Sequence, residues 1–361
     1  MYKITVIVPI YNAEKYFREC LESVVNQSIG FENIQLVLVD DCSTDGSKSI
    51  AEEYAQKYKN ISVYSTEKNT GVAGHARNVG LQHAEGKYVM FTDADDFYDL
   101  KACEEMYNFI EEKQSDFVTA NYKYADENST PWNNPIFDYD KYPTFNLSTG
   151  DFIKSFFILN SSVCNKIFRN DFIKKNSLRF LEGVPAEDAY FTYSSLMKTS
   201  NIYYNQKVIY YYRVRNAPST LSVSWNCSKS YFDKINSAYK SLYELFKDNN
   251  RLDYYRFFYA KNLTYMLYKF IDSKCMNYEE KIEVISNMRW FYKLSPELKV
   301  PACQKSLEVL INKIIEGEYK DFVDVCNVIA DIRSYLPKDV REKMSKPSTE
   351  FYEALSMSQK G

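Results

Sequence analysis

The sequence predicts an α/β protein: a mostly parallel sheet flanked by helices, followed by an α-helical domain. Three observations predict it. Short β-branched or aromatic runs alternate with helical periods through residue 121, the pattern of strands joined by helical crossovers. From Ser228 onward strand signals fade and helical periodicity dominates. The chain has 361 residues, 45% apolar and 26% charged, enough for one large soluble domain or two ordinary ones.

Ile4 to Val8 reads as a buried strand ending at Pro9. A helix follows, with Asn12 as its N-cap and Phe17, Leu21, Val24 and Val25 on its inner face. Next come a strand over Ile34 to Val39, a helix over Ser47 to Tyr58, a strand over Ile61 to Ser65 and a helix over Val72 to His83. Tyr88 to Phe91 is a strand, too short for a helix. Leu100 to Glu112 is helical, Asp116 to Asn121 is a fifth strand, and Val208 to Tyr212 a later one. In the C-terminal part, Phe232, Ile235, Tyr239, Leu242 and Phe246 mark one helix. Others span Tyr254 to Phe270, Glu279 to Tyr292, Cys303 to Ile315 and Tyr319 to Ile332, before a polar end from Lys338. Aromatic stripes at helical spacing assign to core, with a polymer-binding or membrane-facing surface as the alternative. Arg251, Arg256, Lys261 and Lys269 offer a face for an anionic acceptor, but interspersed acids favour a solvated face.

Composition excludes several classes. The net charge is −3, with no basic tail for nucleic acid. Eight cysteines without a C-x-x-C pair read as reduced thiols rather than zinc ligands or a disulfide framework. Two histidines, His75 and His83, leave little material for a histidine zinc site or a Ser-His-Asp triad. The first apolar run stops at Pro9, too short for a signal peptide, and no stretch reaches the ~20 apolar residues of a spanning helix. The expectation is a cytoplasmic protein.

Asp93, Asp95 and Asp96 crowd the end of the strand Tyr88 to Phe91. Carboxylates so placed repel one another and lose hydration, which favours a bound cation. In an extended backbone Asp93 and Asp95 share a face. All-oxygen ligands suit Mg²⁺ or Mn²⁺ bridged to substrate phosphates. The plainer reading is an acidic helix start before Leu100. Pro9-Ile-Tyr11-Asn12, Asp40-Asp41, Lys68-Asn69 and Asp93-Ala94-Asp95 each follow a strand, where parallel sheets bind ligands. That coincidence argues for a nucleotide-type ligand. The stretch from Asp41 to Glu52 mimics a calcium loop, but a strand leads into it and Lys48 takes the apolar eighth place. A dinucleotide-binding glycine turn should follow the first strand, where Pro-Ile-Tyr-Asn stands instead.

Jointly, Val8-Pro-Ile-Tyr-Asn12, Val39-Asp-Asp-Cys-Ser-Thr-Asp-Gly-Ser47, Lys68-Asn-Thr-Gly71 with Ala76-Arg-Asn78, and Phe91-Thr-Asp-Ala-Asp-Asp96 resemble the family 2 glycosyltransferases with a GT-A fold. Asn165-Lys-Ile-Phe-Arg169, Phe180-Leu-Glu-Gly183 with Glu187-Asp188, and Tyr210-Tyr-Tyr-Arg213 look like its later blocks. The resemblance covers roughly residues 1 to 225. It implies a GT-A (Rossmann-like) catalytic domain over 1–225 and a helical accessory domain over 226–361, for acceptor binding or oligomerisation.

The resemblance also implies a UDP-sugar donor and inversion at the anomeric carbon. Pro9 and Tyr11 would wall the uracil, Asp41 would accept from base or ribose, and Asn69 and Arg77 would belong to the donor site. Asp93, with Ala94 beside it, would approach the ribose. Asp95 would bind Mn²⁺ or Mg²⁺, with Asp93 as the second metal-side carboxylate. Asp188 would be the general base, with Glu187 beside it as an orienting or capping group. Arg213 and Arg215 would hold the diphosphate or a charged acceptor. Many relatives carry a histidine shortly after; here Asn216-Ala-Pro-Ser-Thr-Leu-Ser222 stands instead, leaving the third metal ligand open. The irregular stretch Asp126 to Leu147, with Trp132, is a candidate acceptor loop.

These readings combine as an inverting, metal-assisted glycosyltransferase acting on a glycan, surface polymer or lipid-linked acceptor, with peripheral contact at the inner membrane face. The alternatives are a non-catalytic nucleotide-sugar or glycan-binding module on the same fold, and a nucleotidyltransferase. The latter would need a basic glycine-rich loop after the first strand, which is absent.

Overall fold

Strands β1 (Ile4–Ile10) and β2 (Ile34–Asp40) are buried along their whole length, which is why they read as unbroken apolar runs rather than alternating ones. They pair in parallel, Ile4 opposite Ile34 through Ile10 opposite Asp40. β3 (Ile61–Ser65) joins β2 and β4 (Tyr88–Phe91) joins β1, both parallel. Helices α1 (Glu14–Val25), α2 (Ser47–Lys57) and α3 (Gly74–Gln82) make the connections.

This computed structural model describes residues 1–133, 144–146, 159–215, 227–300, 305–337 and 340–341. The chain divides into two compact units, Met1–Leu221 and Ser222–Gly361.

Beyond β4 the sheet of the first unit turns mixed. The later elements are β5 (Phe97–Tyr98), α4 (Ala102–Lys113), β6 (Phe117–Ala125), β7 (Pro131–Trp132), β8 (Phe145–Asn146), β9 (Lys166–Arg169), α5 (Asn170–Lys175), α6 (Glu187–Leu196) and β10 (Ile202–Arg213). The order is β3-β2-β1-β4-β9-β6-β10-β5. β9 runs antiparallel between β4 and β6, while β6 and β10 are parallel. Neither β9 nor the two-residue β5 is visible in the hydrophobic pattern, because β9 is short and carries Lys166 and Arg169 at its ends. Side by side, β4 and β9 bring the Asp93 turn and the Asn165-Lys166 block into one neighbourhood.

Two expectations about local structure are corrected. Asn12 does not cap α1: Ala13 holds that place without a side-chain hydrogen bond, and Asn12 has φ 47°. Its amide is spent elsewhere, as the site geometry shows. The single helix expected over Glu279 to Tyr292 is two, α9 (Tyr278–Asn287) and α10 (Arg289–Glu297). They divide at Met288, and Asn277 with Glu280 forms a capping box at the start of α9.

The second unit is helical in its described residues: α7 (Lys229–Asp248), α8 (Leu252–Ile271), α9, α10, α11 (Lys305–Glu316) and α12 (Tyr319–Ser334). Its core is aromatic. Phe232, Tyr239, Phe246, Tyr255, Tyr259, Phe291 and Tyr292 are buried, and the rings of Tyr259 and Phe291 lie 4.8 Å apart. Arg256 belongs to neither face expected for it. It is buried and donates to the Lys299 carbonyl at 2.8 Å. No helix among the described residues is long and apolar enough to cross a membrane. Of the cysteines described, all are free; Cys20, Cys103, Cys164 and Cys326 are buried, Cys42 and Cys227 half-buried and Cys275 exposed.

Helix α3 lies unusually close on β1. A Cβ added at Gly80 would stand 2.4 Å from Cγ2 of the buried Ile7. Gly80→Val is therefore expected to destabilise the first unit by about 1–3 kcal/mol through overpacking. Thermal unfolding should show a midpoint a few degrees lower; an unmoved midpoint would mean that α3 is free to lift.

Candidate active site

At the carboxyl ends of β1 and β2 two loops hold each other. Asn12 Oδ1 accepts from the Thr44 amide at 2.8 Å, and Ser43 Oγ accepts from the Asn12 amide at 3.1 Å. The Ala13 amide donates to Ser47 Oγ at 2.8 Å, and that of Glu14 to Asp45 Oδ2 at 3.1 Å. Asn12 and Cys42 both adopt positive φ (47° and 63°), a strained backbone of the kind that collects at functional loops. Pro9 is buried within β1, opposite Val39, beyond the last β1–β4 pair. Tyr11, 51% exposed, presents its ring to solvent, next to the exposed Asn12. Asp41 is buried and braces the next loop: Thr66 Oγ1 donates to its Oδ1 at 2.6 Å and the Thr70 amide to its Oδ2 at 3.3 Å. Asn69 Oδ1 accepts from the Gly71 amide at 2.5 Å.

Helix α3 carries Arg77 into the centre. Its side chain is 5% exposed and its guanidinium forks. Nη2 donates to Asp93 Oδ1 at 2.7 Å and Nη1 to Glu187 Oε1 at 3.0 Å. The ring of Phe180 lies 5.4 Å from its Cζ. A buried guanidinium stays charged, and burial works against that charge while Asp93, Cys164, Glu187 and Asp188 favour it. Its Nε is buried without a hydrogen-bond partner among the described residues.

The same helix is strapped to the segment before α6. Asn78 Nδ2 donates to the Phe180 carbonyl at 3.0 Å and to Glu182 Oε1 at 2.8 Å, and the Phe180 amide returns to Asn78 Oδ1 at 2.9 Å. His75 Nδ1 lies 2.9 Å from Glu182 Oε2. At Gly74 a Cβ would stand 2.0 Å from the Leu181 carbonyl oxygen, so only glycine permits this approach. Ala186, at φ 64°, turns the chain into α6, whose first two residues are Glu187 and Asp188. Burial pushes both carboxyls above the usual range, against the pull of Arg77. Asn78, His75 and Glu182 are site-building residues that the sequence reading left unassigned. The signal was the place of Asn78 and Glu182 in the Ala76-Arg-Asn78 and Phe180-Leu-Glu-Gly183 blocks, with His75 flanking the first.

The acidic turn is balanced by arginines. Asp95 Oδ2 stands 3.2 Å from Arg215 Nη2, and burial raises its carboxyl. Asp96 is fully enclosed. Its Oδ2 accepts from the Tyr210 hydroxyl and its Oδ1 from the Arg213 amide at 2.8 Å. Burial, with Asp95 and Asp93 close by, drives its carboxyl well up. Ala94 is buried between the two outer aspartates.

Arg213 does not face outward as a diphosphate ligand would. It is buried between the Tyr16 and Phe97 rings, 4.6 and 5.2 Å from their centroids. Its nitrogens donate to the Asp95, Asp126 and Glu127 carbonyls at 2.9, 3.1 and 3.3 Å. They also donate to Ser129 Oγ at 3.0 Å and Glu19 Oε2 at 2.6 Å. A guanidinium so committed braces the acidic turn from behind, while Arg215, with a side chain 25% exposed, is the outward partner.

The donor chemistry fits a hard divalent cation. Asp93 and Asp95 offer carboxylate oxygens at one turn, and burial disfavours the ionised form of Asp95, a cost a cation would offset. No group of three metal-ligating side chains exists among the described residues; these two carboxylates would be the ones to hold a cation there. Residues 216–222, and residues 134–143 and 147 of the candidate acceptor loop, lie outside the described residues.

The family model described as glycosyl transferase family 2 matches residues 5–175. The chain is 31% identical over 296 residues to the poly(ribitol-phosphate) beta-N-acetylglucosaminyltransferase TarP of Staphylococcus aureus, covering 80% of this chain and 87% of TarP. It is 33% identical over 261 residues to the minor teichoic acid biosynthesis protein GgaB of Bacillus subtilis. That match takes in 69% of this chain but 27% of GgaB, so the chain spans about a quarter of that relative's length. Among solved structures, TarS 1–349 of S. aureus in complex with UDP-GlcNAc superposes with a TM-score of 0.65 at 26% identity, over 89% of each chain.

The fork at Arg77 generates a test. Lysine keeps the charge but cannot bond two carboxylates in one plane. Arg77→Lys is expected to lower turnover about 10- to 100-fold, the size of one or two lost charge-assisted hydrogen bonds. Steady-state kinetics would check this, and wild-type turnover in the variant would show the fork to be dispensable.

Proposed function

The chain belongs to glycosyl transferase family 2, and on that footing we propose that it transfers a sugar from a UDP-sugar to a hydroxyl of a polyol-phosphate surface polymer. The donor class is supported by the likeness to TarS bound to UDP-GlcNAc, and the acceptor class by TarP and GgaB. N-acetylglucosamine is the sugar we would test first. The observation that carries the catalytic reading is the Arg77 fork. It joins Asp93, in the acidic turn after β4, to Glu187, the neighbour of Asp188. Donor-side and base-side carboxylates are thereby drawn into one GT-A site.

In this reading Tyr11 lies against the uracil face, and the brace formed by Asp41 and Asn69 shapes the loop that receives the ribose. Pro9 and Ala94, both buried, shape the walls rather than reach for the nucleotide. Arg215 faces the diphosphate. Asp95 and Asp93 would hold a divalent cation, which would supply positive charge beside the departing diphosphate. Transfer is a single displacement. The acceptor oxygen forms its bond to C1 as the bond from C1 to the UDP oxygen breaks, and the hydroxyl proton passes to Asp188, so C1 inverts. Glu187, held by Arg77, keeps the start of α6 in place.

Asp188 accepts a proton only when ionised. Because burial raises its carboxyl, kcat/KM should fall as pH drops through a value above the usual carboxylate range. Asp188→Asn should bind UDP as wild type does while transfer to poly(ribitol phosphate) falls about 10²- to 10⁴-fold. Full transfer by this variant would remove Asp188 from the role. Asp95→Ala should weaken UDP-sugar binding much more in Mn²⁺ than in EDTA, read by calorimetry; equal effects would rule it out as a ligand. Release of UDP from a panel of UDP-sugars, with and without acceptor, identifies the donor.

A further inference from the structure

Lys166 has no solvent exposure. A lysine is rarely enclosed in this way, since its stem usually lets the ammonium reach water. Its Nζ donates to Asn165 Oδ1 at 3.0 Å, to Asn160 Oδ1 at 3.1 Å and to the Ser162 carbonyl. An ammonium has three donors and no acceptor, and three oxygens meet it here. The cage is built for the charged form. Burial pulls the amine down, to about 7, and the Asp188 carboxylate works the other way.

The turn that receives this ammonium is also tied to α6. Thr192, on α6, donates its Oγ1 to the Ser161 carbonyl at 2.9 Å. Residues 160–162 thus take hydrogen bonds from Lys166 on one side and from the helix that begins Glu187-Asp188 on the other. Among the described residues, the charged and titratable groups that act electrostatically on Asp188 are Arg77 of α3, Asp93 after β4, Lys166 of β9, and Glu187 and Tyr193 of its own helix. Arg77 is already shared between Asp93 and Glu187. The three oxygens on the Lys166 nitrogen are all neutral, so its charge acts on Asp188 through space rather than through a hydrogen bond.

We infer that Lys166 is a positioning residue for the proton-accepting carboxylate: it pins the 160–162 turn to which α6 is tied, and its ammonium, when charged, favours the carboxylate form of Asp188. This inference rests on the reading of Asp188 as the base. It separates two cationic roles, Arg77 joining the donor-side and base-side carboxylates, and Lys166 tuning the base alone.

The test compares Lys166→Met with wild type and Asp188→Asn in the full chain, using UDP-GlcNAc and poly(ribitol phosphate). The expected result for Lys166→Met is a kcat lower by about 10- to 100-fold with donor KM within about twofold, the mark of an interaction made in the transition state. The acid limb of kcat/KM should move to higher pH by about one unit, as loss of a nearby opposite charge requires. A fall in kcat with an unmoved limb would make Lys166 merely structural, and unchanged kcat would also overturn the inference. Should Lys166→Met not fold, Asn160→Gly carries the test. It removes one oxygen of the cage at a residue whose φ of 26° suits glycine. It should lower kcat at constant donor KM, and wild-type kcat would overturn the inference. Transfer surviving in Asp188→Asn would sink the base reading itself, whereas an inactive Asp188→Asn beside a wild-type-like Lys166→Met would sink the role of Lys166 alone.

Discussion

A guanidinium closed off from water must satisfy its charge within the protein, and Arg77 does so by holding two carboxylates at once. That constraint organises the first unit. Asp93 comes from the end of β4, Glu187 from the start of α6, and Arg77 from α3, elements with no local reason to meet. Removing one partner of a buried pair typically costs about 3–5 kcal/mol, and the lower end applies here because the Asp93 side chain is 34% exposed. The tight seats of α3, at Gly80 against β1 and Gly74 against the Leu181 carbonyl, set the depth at which the arginine enters.

Around this fork the site solves an electrostatic problem. Three aspartates within one turn would repel one another without compensation. Arg77 takes Asp93, Arg215 takes Asp95, and the Arg213 amide with the Tyr210 hydroxyl takes Asp96. The Arg213 guanidinium stands behind the turn, between two rings, as a fixed positive charge. Asp93 and Asp95 keep the more accessible edge and Asp96 is the anchor. A run of identical residues is thereby divided, by burial and by partner, into two accessible carboxylates and one enclosed brace.

The second unit follows a different logic. Its aromatic residues at helical spacing fill a core rather than line a surface, as the area carried by each buried ring favours. Arg256 and Arg333 are drawn inside with them, each given oxygen partners: the Lys299 carbonyl for one and the Asp272 carboxylate for the other. Basic residues on an amphipathic helix therefore do not by themselves define a face for an anionic polymer.

Much was legible in the chain itself. The buried strands announced themselves by unbroken apolar runs, and the acidic, asparagine-rich and proline-bearing ends of those strands pointed to the ligand edge because parallel sheets expose their chemistry there. Helix ends were less legible: Asn12 reads as a cap, yet its amide holds the neighbouring loop. Only tertiary structure decided the antiparallel insertion of β9, the inward turn of Arg213, the clamp made by Asn78 and the burial of Lys166. The physical reason is the same in each case. Periodicity reports how a residue meets its own strand or helix, whereas the role of a buried charge is set by partners distant in sequence, brought within hydrogen-bond reach only when the sheet closes around them.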